Sequence, residues 1–287
     1  MKPLPRRDVL VGVAALAALG VVGRAATAQV DAGRGLLARL QAAKKVRVGI
    51  ANQPPFSALN PDGTVTGAAP AISKIILGRL GILEMEGFVA NYGELIPGML
   101  ADRWDFISAA LTITKPRCAQ ILYADPLMFD GSAIIYRKGT APAPPRTVAD
   151  IAKLDVHVGT QAGGADLRAV LAAGVSPGNI LQFDNDQAIL DGLLADRMPF
   201  ALTAYSALKN VLAQRKADVE IVYPISDDPP HGASCAFRTA DTDLHAAYQR
   251  ELRAMKASGE YLKIIREFGY DTPPELIAIT SEQACSA

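Results

Sequence analysis

Two successive runs of alternating strand and helix patterns constrain this chain more than any other feature. In the first run, Val46-Arg47-Val48-Gly49-Ile50 alternates as a strand, and Asn52-Gln53-Pro54-Pro55-Phe56 interrupts it as a loop. Ala71 to Leu80 then has apolar residues at helical spacing and stops near Gly81. Tyr92 to Ala101 fits a second helix, and Trp104-Asp105-Phe106-Ile107-Ser108 returns to strand. The second run reads strand Val156-His157-Val158-Gly159, helix Ala165 to Ala173, strand Ile180 to Phe183, helix Asp186 to Ala195 and strand Phe200-Ala201-Leu202. Between them, Ala141-Pro142-Ala143-Pro144-Pro145 reads as a boundary, because closely spaced prolines lack the donors that a sheet or helix needs. Such alternation predicts an α/β fold, here two similar α/β units in series. One more strand at Gly232 to Arg238 and helices over Asp243 to Ser258 and Glu260 to Phe268 finish the chain. The first unit is the expected platform for these last helices.

The N-terminus is of another kind. A basic start containing Arg6-Arg7, an apolar run to about Val22 and the small-x-small segment Ala26-Thr27-Ala28 make an export signal over residues 1–28. The run is broken by Gly12, Gly20 and Gly23 and closes on Arg24, which argues against a membrane span of roughly 20 apolar residues. Arg6-Arg7 resembles the twin-arginine signal without its full consensus, leaving the Sec route as the alternative. Residues 29–44 form a lead-in to a mature chain of about 260 residues, room for one large or two smaller domains. Lys plus Arg and Asp plus Glu both number 29, so no global field attracts nucleic acid or an anionic membrane. Cys118, Cys235 and Cys285 allow one disulfide and one free thiol in an oxidising compartment, and the spacing does not select the pair.

In open α/β sheets, loops after the carboxyl ends of strands gather at a ligand-binding crevice. Four such loops carry usable groups: Gln53 and Phe56; Leu111 to Arg117, following Ala110; Gln161 to Ala165; and Thr203-Ala204-Tyr205. Arg117 can make two parallel charge-assisted hydrogen bonds to a carboxylate, with Thr112 adding a hydroxyl. Gly163 and Gly164 can bring backbone N–H groups to an anion at the start of the helix near Asp166. Phe56 and Tyr92 suit the walls of a site for a delocalised or alkylated cation. The expected binding set is Gln53, Phe56, Tyr92, Ala110, Thr112, Arg117, Gly163, Gly164, Ala165 and Thr203. The glycine loop matches neither a P-loop nor a dinucleotide fingerprint, so no cofactor is expected. His157, His231 and His245 stand in no triad or metal spacing, and G-x-S-x-G is missing, which favours binding over catalysis.

Several segments together resemble a known family, the periplasmic amino-acid-type solute-binding proteins of ABC transporters, solute-binding family 3. They are Val48 to Phe56, Gly67 to Pro70, Ile96-Pro97-Gly98-Met99-Leu100, Thr112-Ile113-Thr114-Lys115-Pro116-Arg117 and Tyr123-Ala124-Asp125-Pro126, in that order. The resemblance runs from about residue 45 to the end. It implies the type II periplasmic-binding-protein fold: two α/β lobes joined by a two-strand hinge, with lobe 1 at 45–134 and 233–287 and lobe 2 at 135–232. The hinge crossings are expected near Gly131 to Lys138 and Pro230 to Arg238. It also implies a monomeric periplasmic receptor that hands a small carboxylate solute to permease subunits in the inner membrane.

Within the family, Ala51-Asn52-x-Pro54-Pro55-Phe56, Tyr92-Gly93-x-x-Ile96-Pro97-Gly98 and Arg117-Cys118 look most like ectoine and hydroxyectoine receptors. That likeness puts Phe56 and Tyr92 on the ring of a cyclic zwitterion and Arg117 on its carboxylate. Gln53 and Thr112 depart from it, standing where those receptors carry glutamate and phenylalanine. General amino-acid receptors share an arginine and a threonine like Arg117 and Thr112, but their lobe-two aspartate for the α-ammonium falls at Ala204. An unpaired buried ammonium costs several kcal/mol. The expected solute is therefore ectoine-like, betaine-like or another modified carboxylate. A polar amino-acid receptor, a family-related enzyme and a sensor subunit are the alternatives. The resemblance further implies a Cys118–Cys285 disulfide, with Cys235 as the buried thiol.

Overall fold

The computed structural model describes residues 35–141 and 143–286. The export signal, the proposed cleavage point and the start of the lead-in lie outside the described residues. In chain order the first unit holds α1 (Leu36–Ala43), β1 (Lys45–Ile50), a small hairpin β2 (Ala58–Leu59) and β3 (Val65–Thr66), and α2 (Ala68–Arg79). It continues with β4 (Glu84–Val89), α3 (Tyr92–Leu100), β5 (Phe106–Thr112), α4 (Lys115–Cys118), β6 (Ile121–Tyr123) and β7 (Met128–Asp130). The second unit holds β8 (Ser132–Arg137), α5 (Val148–Ala152), β9 (Val158–Gln161), α6 (Ala165–Ala172), β10 (Ile180–Phe183), α7 (Asp186–Leu194), β11 (Phe200–Ala204), α8 (Tyr205–Gln214) and β12 (Val219–Val222). The chain then returns with β13 (His231–Arg238), α9 (Thr242–Ser258), α10 (Glu260–Glu267), α11 (Pro274–Ile277) and α12 (Ser281–Ser286).

Each unit is an α/β sheet. The first has the order β4-β1-β5-β13-β6, with β7 also paired to β13; the second has the order β10-β9-β11-β8-β12. In the first sheet β1 runs parallel to β4 and β5, whereas β13 is antiparallel to its neighbours. In the second, β9, β10 and β11 are parallel and β8 is antiparallel to β11 and β12. Asn caps start two of the helices that border the cleft. The Asn91 side chain accepts from the Glu94 N–H at 3.1 Å, and that of Asn185 accepts from the Ala188 N–H at 2.9 Å.

The C-terminal helices pack on the first unit, where their apolar faces find a core. Phe106 on β5 and Phe237 on β13 stack with centroids 5.3 Å apart, and Tyr248 of α9 leans on both. The Tyr248 hydroxyl reaches the Ser73 hydroxyl of α2 at 2.9 Å and donates to the Cys235 thiol at 3.3 Å, so the buried polar atoms are satisfied. Cys118 and Cys285 form a disulfide that ties α12 to α4, and Cys235 is a buried free thiol.

The proline-rich stretch near residue 144 is not a boundary. Both β8 before it and α5 after it belong to the second unit, so the prolines only end a strand. The crossings between sheets are the single residue Gly131 and the segment Tyr223–Pro230. Gly131 is the first residue of its expected window, and Tyr223–Pro230 meets its own only at Pro230, because β8 and β13 are bonded into their sheets from their first residues, Ser132 and His231.

Candidate ligand-binding site

Between the two sheets lies a cavity of about 50 Å³. The first sheet and its loops contribute Gln53, Phe56, Tyr92, Ala110 and Thr112. Gly131 and the strand ends on either side of it, Asp130 and Ser132, come next, the second unit adds Gln161, Gly164, Ala165, Asp166 and Ala204, and β13 adds His231 and Ala233. Seven of the ten residues expected from sequence therefore line it: Gln53, Phe56, Tyr92, Ala110, Thr112, Gly164 and Ala165.

The loop after β1 is a tight one. The Gln53 N–H donates to the Ser57 carbonyl at 2.9 Å and the Phe56 N–H to the Gln53 carbonyl at 3.0 Å, which sets both side chains beside the cavity. Phe56 is 5% exposed, and its ring also packs on Tyr270 with centroids 6.1 Å apart, so it is wall and core at once. The Gln53 amide donates across the cleft to Asp186 Oδ2 at 2.9 Å. Tyr92 opens α3, and its hydroxyl donates to the Ala109 carbonyl at 3.2 Å, which leaves the ring as its contribution to the wall. Ala110 has φ 49°, a left-handed conformation that costs a side-chain-bearing residue roughly 1–2 kcal/mol. Strain of this kind gathers at functional sites.

Arg117 and Gly163 line an adjoining recess together with Tyr92, Gly93, Gly164 and Arg168. Arg117 is only 4% exposed, and its guanidinium donates to two carbonyls: Nη1 to Thr112 at 2.9 Å and Nη2 to Gly163, across the cleft, at 3.2 Å. The Tyr123 hydroxyl donates to the same Thr112 carbonyl at 3.0 Å. Burial pulls the Arg117 pKa down to about 10, so the group stays charged at neutral pH. A buried guanidinium bonded only to carbonyls is a ready partner for a carboxylate. Beside it the two units touch backbone to backbone. Gly163 has φ 68°, and a Cβ placed there would stand 2.2 Å from the Gly93 nitrogen.

Thr203 does not line the cavity. Successive strand residues point to opposite faces, so Thr203, 1% exposed, turns its hydroxyl to Asp186 while Ala204 forms the wall. The larger correction concerns charge. Ala204 is indeed neutral, but Asp130 and Asp166 line the same cavity and Asp186 stands behind Gln53. Asp166, 7% exposed, accepts from Ser132 Oγ at 2.5 Å, and burial, reinforced by the charges of Asp228, Asp186 and Asp130, pushes its pKa up to about 7. Burial likewise raises Asp130 to about 6, against hydrogen bonds from the Ser206 N–H at 3.2 Å and hydroxyl at 3.1 Å. Asp186 is raised too, again by burial. Burial would also raise Asp228, but its hydrogen bond with His231 at 3.1 Å helps hold it below its ordinary value, and the same bond raises His231. In the sequence the only hint of Asp166 and Asp186 is their place in the first turn of helices that follow cleft strands.

A family model described as bacterial extracellular solute-binding proteins, family 3, matches residues 46–271. Among curated proteins, a probable amino-acid ABC transporter periplasmic-binding protein of Sinorhizobium fredii is 26% identical over 266 residues, 89% of this chain and 87% of its own length. The lysine/arginine/ornithine-binding periplasmic protein of Escherichia coli is 24% identical over 220 residues, 75% of this chain and 83% of its own. Among solved structures, EhuB in complex with hydroxyectoine aligns with TM-score 0.84 at 32% identity, covering 88% of this chain and 100% of that one. An ancestral arginine-binding protein bound to arginine aligns with TM-score 0.68 at 26% identity, covering 78% and 98%.

Proposed function

Since the chain belongs to the bacterial extracellular solute-binding proteins of family 3, we propose that it is the periplasmic solute receptor of an ABC importer and performs no catalysis. The solute is a small carboxylate, held where the two sheets meet. The sheets are the two lobes, Gly131 and Tyr223–Pro230 are the hinge, and closure around the solute presents both lobes to the permease subunits. Arg117 takes the carboxylate with Thr112 beside it, the Gly163-Gly164 turn closes over it, and Phe56 and Tyr92 flank the body of the molecule. The likeness to EhuB, whose complex contains hydroxyectoine, supports an ectoine-like ring compound. Export through residues 1–28 and a monomeric state complete the proposal.

The observation that carries it is the 4%-exposed Arg117, which among the described residues donates to the Thr112 and Gly163 carbonyls and is contributed by one sheet to a seam with the other. A thermal-shift screen of compatible solutes, betaines and amino acids identifies the solute, because a ligand of the folded state raises its stability by mass action. Arg117→Ala then weakens that solute by at least about a hundredfold, the usual cost of stripping a buried charged hydrogen-bond partner. Retained affinity in a folded Arg117→Ala protein refutes the assignment.

A further inference from the structure

The recess and the cavity beside it carry opposite charges. Arg117 lines the recess, whereas Asp130 and Asp166 line the hinge side of the cavity together with His231, with Asp228 close by. His231 is engaged by Asp228 at 3.1 Å. Asp166 is 93% buried by its 7% exposure, and it meets Ser132 through Oδ1. No protein donor reaches its Oδ2 among the described residues, and the side chain borders the cavity. Asp228 Oδ2 is likewise buried without a hydrogen-bond partner. Among the described residues no group of acidic, histidine or cysteine side chains has the arrangement of a metal site.

Resting on the receptor function proposed above, we propose that Asp166, supported by Asp130, is the cation-recognising pole of the site, so that the solute is a zwitterion. Its ammonium or amidinium group faces the hinge while its carboxylate meets Arg117. Asp166 thereby replaces the acidic group that Ala204 fails to supply. The charge of the bound cation draws a proton off Asp166, which is faced by Ser132 of β8, Asp130 of β7, Asp186 of α7, Asp228 of the second crossing and His231 of β13. With a free-state value of about 7, binding at pH 7 releases about half a proton.

The test uses three zwitterions against carboxylates of closely similar shape without the positive charge: ectoine with 3-methylcyclohexanecarboxylate, L-proline with cyclopentanecarboxylate, and glycine betaine with 3,3-dimethylbutyrate. Each is titrated calorimetrically into the purified protein, in buffers of different ionisation enthalpy. At least one zwitterion binds about tenfold or more tighter than its counterpart. Asp166→Asn removes that preference and the proton release, with a loss of about ten- to hundredfold. Arg117→Ala abolishes binding of both partners. Isosteric carboxylates that bind as tightly as the zwitterions, and still depend on Arg117, overturn the cation pole and keep the carboxylate receptor. Binding that is indifferent to Arg117, or no binding by any of the six probes, overturns both. A preference that persists in a folded Asp166→Asn protein, checked by urea melting, moves the cation away from Asp166 and sinks this proposal alone.

Discussion

Replacing Gly163 by Ala is the sharpest perturbation of lobe closure. A Cβ there would lie 2.2 Å from the nitrogen and 2.5 Å from the Cα of Gly93. Both are backbone atoms of the opposite unit and cannot swing aside. Ordinary contact needs about 3.5 Å or more, so the lobes must part at this seam by more than about 1 Å. Parting also stretches the 3.2 Å bond from Arg117 Nη2 to the Gly163 carbonyl. The φ of 68° adds a second cost, roughly 1–2 kcal/mol for a side chain in that region. The two costs separate by assay. The φ cost acts in the open and closed states alike and appears as lowered stability in urea melts. The clash acts only on closure. An overpacking cost of about 1–3 kcal/mol in the closed state lowers its population, weakening the apparent affinity by about five- to a hundredfold. Calorimetry with the solute from the screen reads the affinity, and small-angle scattering of the saturated protein reads an enlarged radius of gyration. Wild-type affinity and a fully contracted Gly163→Ala protein refute closure at this seam.

Three further outcomes follow from the same geometry. Gln53→Glu sets a carboxylate 2.9 Å from where Asp186 now accepts a hydrogen bond, so one of the pair must hold a proton; solute affinity falls as pH rises from 5 to 8, and a pH-independent variant contradicts the contact. Asp166 has a folded-state pKa raised to about 7, so the fold binds the proton more tightly than the unfolded chain and stability falls as pH climbs from about 4 to 7. Asp166→Asn removes that loss, making the unliganded protein more stable than wild type at pH 8 by a few kcal/mol, at about 1.4 kcal/mol per pKa unit, with the gap shrinking at pH 4; a gap independent of pH in thermal melts counts against it. Breaking the Cys118–Cys285 bond with a double Ser substitution costs about 2–5 kcal/mol in urea unfolding, and peptide mass mapping of the non-reduced protein returns that pair rather than one with Cys235.

What could be read from sequence follows from how far each feature depends on local pattern. The helices starting at Tyr92, Ala165 and Asp186 combine apolar spacing with Asn or Gly starts, and the structure places them within a residue of expectation. Edge strand β4, Glu84–Val89, escaped because Glu84 and Glu86 share one exposed face and leave no clean apolar alternation. The proline-rich stretch misled because a break in secondary structure need not be a break between units; β8 had already joined the second sheet. At the site, residues on strand-end loops were legible because topology sends such loops to the cleft. Thr203 and Ala204 were confused by one position of alternation, which shifts a side chain from wall to interior. The acidic pole was hidden for a stronger reason. An aspartate in a first helical turn is ordinary helix chemistry, and only the approach of the two hinge crossings buries Asp166 and raises its pKa.

A crystal structure of the protein with its solute tests the central claim most directly. The expected complex has closed lobes, a carboxylate forming two hydrogen bonds with the Arg117 guanidinium, and a cationic nitrogen within hydrogen-bond reach of Asp166. A solute seated outside the cavity, or one whose carboxylate leaves Arg117 bonded only to Thr112 and Gly163 as now, contradicts it.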